Sequence, residues 1–467
     1  MTAPKFTNPE QSEKLLRKMS QNLGATELTV VKNPSYIFRP FDIYPLAPRI
    51  NSPRSKLAAI VKDMDGTTTT TEELCVHSLE FMVGKICGLE KGKSWSGLDK
   101  QNDLPHIIGN STTKHVEYLL KTYEEKIDIE HLRKAYFYAV LWTLQQGKDP
   151  GRNQDVLSNL SIFGLHPLLN RDFFKNFVSQ KRFQSKEACK TVIAILEQYP
   201  GAPRLRDFHD KLRAAIDIYY WSYHQTLALI SAGQSHVVSS GLGKPSAHLI
   251  EPMPGVGIFL ATVKGWLGKE LSLFGEELCA LLKQRPKARI SKHEMEQGLK
   301  RLEPLGRYFE TNPLRIAVVT SSILYEAQIV LSEVFKVLSK QAETWNISPE
   351  KKDKILEGFS NYKKTYDAFI TASDSSEIRL KPHPDLYSLA LHRMGVSEAE
   401  LEHVIGFEDS ESGTRAIRAA GVGLCVALPF PFTKGHDLSA ASYILEGGLP
   451  EALVKYSLFL DPALLKG

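Results

Sequence analysis

No stretch of the chain approaches the roughly 20 apolar residues needed to cross a bilayer, which speaks against a membrane-spanning helix. Its opening residues, MTAPKFTNPEQSEKLLRKMSQ, lack the apolar core of a secretory leader. Cysteine is sparse. Cys75, Cys87, Cys189, Cys279 and Cys425 are scattered with no CxxC pair, which argues against a disulfide frame or a zinc site and favours a reducing compartment. A long Lys/Arg block is also missing, and a formal charge of +5 is small for 467 residues, so nothing supports a nucleic-acid face. No internal repeat is evident. These absences lead us to expect a cytoplasmic protein without nucleic-acid or membrane partners, its oligomeric state left open. What remains is a chain of ordinary apolar and charged content, long enough for two or more domains and a substantial core.

Residues 1–56 read as an N-terminal arm. A polar, helical piece around Pro9 to Asn22 is followed by a connector from Asn33 to Arg54 that is rich in proline and aromatics. Such a segment is expected to be extended and laid over a surface.

The most informative stretch is VKDMDGTTTT, Val61 to Thr70, which directly follows the apolar run Leu57 to Val61. A short β-type run ending in Asp-x-Asp-Gly-Thr predicts a buried strand that delivers Asp63 and Asp65 to a tight turn. Two neighbouring carboxylates repel, and the usual remedies are a hard cation or a shared proton. Gly66 lets the backbone turn and approach a ligand. Taken alone, the segment could equally be an Asp-Gly turn on a surface hairpin.

Helical periodicity then persists over Glu72 to Cys87, Lys114 to Gln145, Lys186 to Tyr199 and Arg206 to Ala232. The aromatic stripe DIYYWSYHQTLALIS in the last of these reads as packed helix core. GLGK at Gly241 to Lys244 lacks the remaining residues of a P-loop and reads as a hinge. After a Pro/Gly turn and apolar helix, EPMPGVGIFLATVKGWL, a further helical stretch runs from Gly268 to Glu310. Short β-type runs follow at Leu314–Val319, Tyr366–Thr371, His403–Phe407 and Val422–Leu428, most of them leading into polar residues. Strands alternating with helices predict an α/β, doubly wound parallel-sheet (Rossmann-like) core. In that architecture ligands sit at the carboxyl ends of the strands, where the polar motifs fall. The expected organisation is a core of 57–70 and 250–467, with a helical addition at about 268–312, and an all-α domain of 71–249 inserted after the first strand.

Carboxylates, a lysine and a hydroxyl at strand ends form a coherent set for phosphoryl transfer. With strand-DMDGT, strand-TSS, LKPHPDLY and GFEDSESGTRAIRAAGV in that order, the chain resembles the haloacid dehalogenase superfamily, and within it the phosphoglycolate-phosphatase-like and β-phosphoglucomutase-like subgroup. That resemblance implies Asp63 as a nucleophile forming an aspartyl-phosphate, and Asp65 as general acid and then base. It implies Thr320 and Lys381 as phosphate-orienting groups, assisted near Gly66, Thr67 and Ser321. It also implies Mg²⁺ held by Asp63, Asp65, Asp409 and Glu408. His383 reads as structural. The insertion resembles an enlarged cap domain, and HIIGNSTTKHVEYLL resembles the substrate-specificity loop of such caps, with Asn110, Ser111, Thr112, Lys114 and His115 as substrate contacts. An ordinary capped helix start is the alternative for that loop.

The expected activity is therefore a Mg²⁺-dependent phosphatase for a small phosphorylated metabolite. A β-phosphoglucomutase-like sugar phosphomutase is one alternative. A non-catalytic partner-binding platform on a retained fold is the other.

Overall fold

A computed structural model describes residues 9–22, 24–33, 37, 40–90, 92–99, 101–109, 111–242, 249–285, 287–375 and 379–465. The chain divides into two compact units, one of residues 1–70 with 250–467 and one of residues 71–249.

The first unit is built on a six-stranded sheet in the order β5-β4-β3-β6-β7-β8. Its strands are β3 (Ala59–Asp63), β4 (Arg315–Val319), β5 (Ala368–Ile370), β6 (Val404–Glu408), β7 (Leu424–Ala427) and β8 (Tyr443–Ile444). Every pairing is parallel. The strands are short and mostly apolar, as expected of a parallel sheet covered on both faces. β3, β6 and β7 are buried along their whole length. Topology fixes where chemistry can occur. From β3 the chain steps outward to β4 and β5, then crosses back to place β6 on the other side of β3. The strand order thus reverses at β3 and β6, and the crevice at their carboxyl ends is where such folds bind ligands.

Two buried residues of β3 are charged types, Asp63 at its end and Lys62 before it. Lys62 is fully buried, its Nζ 5.3 Å from the Phe259 ring centre and without a hydrogen-bond partner among the described residues. Burial pushes its ammonium down to about 7, with Asp63 acting in the opposite sense.

Residues expected to form an extended arm fold instead into a two-stranded antiparallel ribbon, β1 (Glu27–Lys32) and β2 (Phe41–Leu46). Thr29, Val31 and Leu46 are buried, whereas Leu28, Val30, Phe41 and Ile43 are exposed. This period-two alternation marks a strand pair with one covered face. Arg418 bolts the ribbon to the sheet unit. Its guanidinium is fully buried and donates to Ala47 O (2.6 Å), Ala440 O (2.7 Å) and Glu27 Oε2 (2.6 Å). Arg49 adds a two-pronged contact to the same glutamate. Hydrogen bonds from Arg49 and then Arg418 hold the Glu27 carboxyl down at about 2, below its ordinary 4.5. A depressed carboxyl stabilises the fold above its unfolded value and ceases to do so as pH falls from 4.5 toward 2. Because this side chain is 37% exposed, solvent screening reduces the contribution to roughly 1–2 kcal/mol. Urea unfolding of the wild type and Glu27→Gln across that window is expected to show a smaller loss for the variant.

The two ends of the sheet unit that border residues 71–249 are stitched together. Thr70 N donates to Glu251 O (3.0 Å) and Met253 N to Thr68 O (2.9 Å), with Glu251 N bonded to Thr70 Oγ1 (3.3 Å).

The second unit is all helical in its main elements. Glu72–Cys87, Ile129–Gln146 and Phe208–Ser231 pack mutually, and Tyr219, Trp221 and Tyr223 are buried, as the aromatic stripe predicts. Trp221 meets Phe81 edge-on at 5.1 Å between ring centres. The helical periodicity over Lys114 to Gln145 is carried by two helices. Thr112–Thr122 and Ile129–Gln146 are separate helices, the second capped by Asp128, whose side chain accepts from His131 N. An aspartate that satisfies a free backbone N–H starts a helix, and periodicity alone does not register it. The GLGK hinge falls largely on residues outside those described. No described helix is long and apolar enough to cross a membrane.

Candidate active site

Strand ends place the charged groups. β3 closes on Asp63, which is 5% exposed, and the chain then turns sharply. Gly66 takes φ +77°, a left-handed conformation that suits glycine. Its N–H donates to Thr69 O (2.9 Å), so that amide is engaged within the turn. Thr68 Oγ1 donates to Asp63 O (2.6 Å), holding the strand end. The threonines are buried structural hydroxyls here, and Thr67 also donates to Asp409 Oδ1 (3.3 Å).

Lys381 lies between two carboxylates. Its Nζ donates to Asp63 Oδ1 and to Glu408 Oε1, the latter at 2.8 Å, and all three residues are buried. Burial would push the lysine down, but the charges of Asp63 and Glu408 outweigh it and hold the ammonium above its ordinary range. For Glu408, burial pushes upward, while Lys381 and hydrogen bonds from Ser410 prevail and keep the carboxyl below its usual value. Asp63 goes the other way. Burial raises it well above 3.8, Lys381 opposes this, and the Glu408 and Asp65 charges add to the rise.

Glu408 is fully occupied. Its Oε2 accepts from Asp409 N, Ser410 N and Ser410 Oγ, each at 2.9 Å, and Tyr387 OH donates to Oε1 (3.1 Å). A Cβ at Gly413 would collide with this carboxylate, so the glycine of the fourth motif makes room for it. Asp63, Glu408 and Asp409 each offer an oxygen within 4.8 Å of the others. An all-oxygen, buried donor set of this kind suits Mg²⁺, which needs only one or two carboxylates beside its waters.

Beside this cluster Asp65, partly exposed, accepts from Thr320 Oγ1 (3.0 Å) and Ser322 Oγ (3.3 Å), and Thr320 Oγ1 in turn accepts from Ser322 N (3.0 Å). Thr320 follows β4 directly and is fully buried, with Ser321 next and partly exposed. The sheet thus brings together Asp63, Asp65, Thr67, Thr320, Lys381, Glu408 and Asp409 from four motifs. Ser322 and Tyr387 were not among the sequence candidates. Ser322 stands beside them in TSS and Tyr387 closes LKPHPDLY, so both lie within the motifs although neither was singled out.

The candidates from the helical unit are less open. Ser111 precedes the helix Thr112–Thr122 and is buried, as is His115, while Lys114 is half-buried. Thr112 Oγ1 accepts from Tyr220 OH (3.4 Å). Asn110 lies outside the described residues.

No family model matches the chain. Among curated proteins, "Putative phosphatase YhcW" of Bacillus subtilis is 42% identical over 64 residues, or 14% of this chain. That alignment spans about a quarter of the relative, 26% of its length. Among solved structures, CbbY from Rhodobacter sphaeroides in complex with phosphate aligns with 85% of this chain and 96% of its own, at 15% identity and a TM-score of 0.38. A HAD hydrolase of family IA, variant 3, from Entamoeba histolytica aligns with 88% of this chain and 100% of its own, at 12% identity and a TM-score of 0.36. The chain is similar to proteins described as phosphatases and HAD hydrolases.

Proposed function

We propose that this protein is a Mg²⁺-dependent phosphatase of the haloacid dehalogenase type, acting on a small phosphorylated metabolite. The observation that carries the reading is the convergence of Asp63, Lys381, Glu408 and Asp409 at the carboxyl ends of β3 and β6, with the Asp65–Thr320 pair alongside.

In this reading the Asp63 carboxylate attacks phosphorus, and the bond from phosphorus to the leaving oxygen breaks with its electron pair going to that oxygen. Asp65 gives the oxygen a proton. The resulting carboxylate of Asp65 then takes a proton from water as that water attacks the aspartyl-phosphate. Phosphate departs and the Asp63 carboxylate is restored. A general acid placed in this way is worth roughly 10²–10⁴-fold. Lys381 keeps one cation against the nucleophile, so that an incoming phosphate dianion meets less repulsion. Asp63, Asp409 and the Asp65 carbonyl would hold the metal, and Glu408, with both oxygens hydrogen-bonded, would orient Lys381 and the backbone at Asp409. Bound Mg²⁺ supplies positive charge between the two anions and favours ionised Asp63. The helical unit is the part of the chain that would select the substrate.

The reading is tested by assaying purified protein with Mg²⁺ on p-nitrophenyl phosphate and a panel of phosphorylated sugars and acids, measuring phosphate release and isomer formation separately. Net phosphate release is expected. Isomer formation with little release would replace the reading with a mutase, and no turnover on any substrate would remove it.

A further inference from the structure

The lysine between Asp63 and Glu408 sits on a short segment, 379–385, that ends where the helix Asp385–Arg393 begins. Both sides of that segment are tied to the N-terminal ribbon. Arg379 Nη1 donates to Tyr44 OH (2.7 Å), Tyr44 OH and His383 Nδ1 share a hydrogen bond (2.8 Å), His383 Nε2 donates to Asn33 Oδ1 (3.1 Å), and Asn33 Nδ2 donates to Asp42 Oδ2 (3.1 Å). The two ends of the chain are fixed in sense, because a guanidinium only donates and a carboxylate only accepts. His383 is buried, and the Tyr44 ring meets it edge-on at 5.6 Å. Arg379 also grips Asp385 through two bonds of 2.8 and 2.6 Å, which joins the relay to the first residue of the helix. Two residues further on, that helix supplies Tyr387, which bonds Glu408.

We infer that Tyr44 and Asn33, on an N-terminal ribbon far from Lys381 in sequence, are positioning residues that set the reach of Lys381 toward Asp63 by clamping His383. This rests on Lys381 being the phosphate-site lysine of the proposed function. Among the described residues Lys381 makes no hydrogen bond to the ribbon, so the effect travels through its neighbours two residues away on either side. A segment fixed at both Arg379 and His383 leaves the intervening lysine little freedom. Misplacement of a catalytic group by about 1 Å can cost on the order of 10²-fold in rate.

The test is Tyr44→Phe, which deletes one hydroxyl, and with it two relay bonds, while keeping the ring against His383. Two readouts are taken on the full chain. The first is acetylation of lysines by acetic anhydride, followed residue by residue by mass spectrometry. Lys381 labelling is expected to rise severalfold while that of the fully buried Lys62 stays constant, a selectivity that general loosening of the fold would not produce. The second is turnover of p-nitrophenyl phosphate with Mg²⁺, where kcat is expected to fall on the order of tenfold or more with KM little changed. His383→Gln, which keeps only the arm to Asn33, is expected to behave alike, and the double variant no worse than either single one. Unchanged Lys381 labelling in Tyr44→Phe, or equal rises at Lys381 and Lys62, would overturn the inference. A selective rise at Lys381 in a protein whose wild type has no phosphatase activity would uphold the clamp and sink the activity reading instead.

Discussion

Asp63→Asn is expected to lower turnover of p-nitrophenyl phosphate on the order of 10⁴-fold or more, because no other group can accept the phosphoryl in its place. The same change is expected to leave stability intact or raise it when no metal is present. The reason is the direction of the Asp63 shift. Burial, with Glu408 and Asp65 close by, raises its carboxyl well above 3.8 despite Lys381, so burying this charge works against the metal-free fold. A raised carboxyl contributes stability at low pH that is lost as pH rises through its folded value, and a neutral amide has no such loss. Turnover assays paired with thermal unfolding in EDTA at pH 5 and pH 8 check both halves. An Asp63→Asn protein that keeps its turnover would end the nucleophile assignment. One that merely unfolds would show the carboxylate to be structural.

Lys381→Met should fail in the opposite way, losing both activity and stability. Removing the ammonium leaves Asp63 and Glu408 facing each other in a buried site with no cation between them. Breaking a buried ion pair from one side costs on the order of 3–5 kcal/mol. Losing a preorganised positive group at the reacting centre costs about 10²–10³-fold in kcat. Methionine fits the stem of lysine, so packing is preserved and the effect reports charge. Denaturant titration and steady-state kinetics on the same preparation measure the two losses. Full stability in the variant would mean that the carboxylates do not feel the lysine as the 2.8 Å contact to Glu408 implies.

Most of the sheet was legible because buried parallel strands are unbroken apolar runs. Leu314–Val319, His403–Phe407 and Val422–Leu428 contain β4 and most of β6 and all of β7, with ends shifted by a residue or two. The motif residues were legible for a different reason. Polar groups directly after such runs have few roles other than a site at the strand ends. The ribbon was not legible. β2, FDIYPL, carries Pro45 and lies in the proline-rich connector, and only its pairing with β1 reveals the covered face. β8 is two residues, too short for any pattern. Tyr387 and the relay through His383 depend on contacts spanning up to 350 positions in sequence, which local periodicity does not encode.

The stitch between Thr68–Thr70 and Glu251–Met253 bears on how the chain is made. β3 leaves the ribosome long before either of its neighbours, since β4 begins only at Arg315 and β6 at Val404. Closing so long a loop is an entropic burden that grows with the length of free chain between the partners. The segment 71–249 is a compact unit with its own buried core, able to condense while the rest is still being synthesised. Once it has done so, Thr70 and Glu251 are no longer the ends of a random coil, and the stitch can form before β4 emerges. Birth order therefore favours the helical insertion as the first structure to form, with the buried carboxylates of the candidate site assembling last, when β6 delivers Glu408 and Asp409.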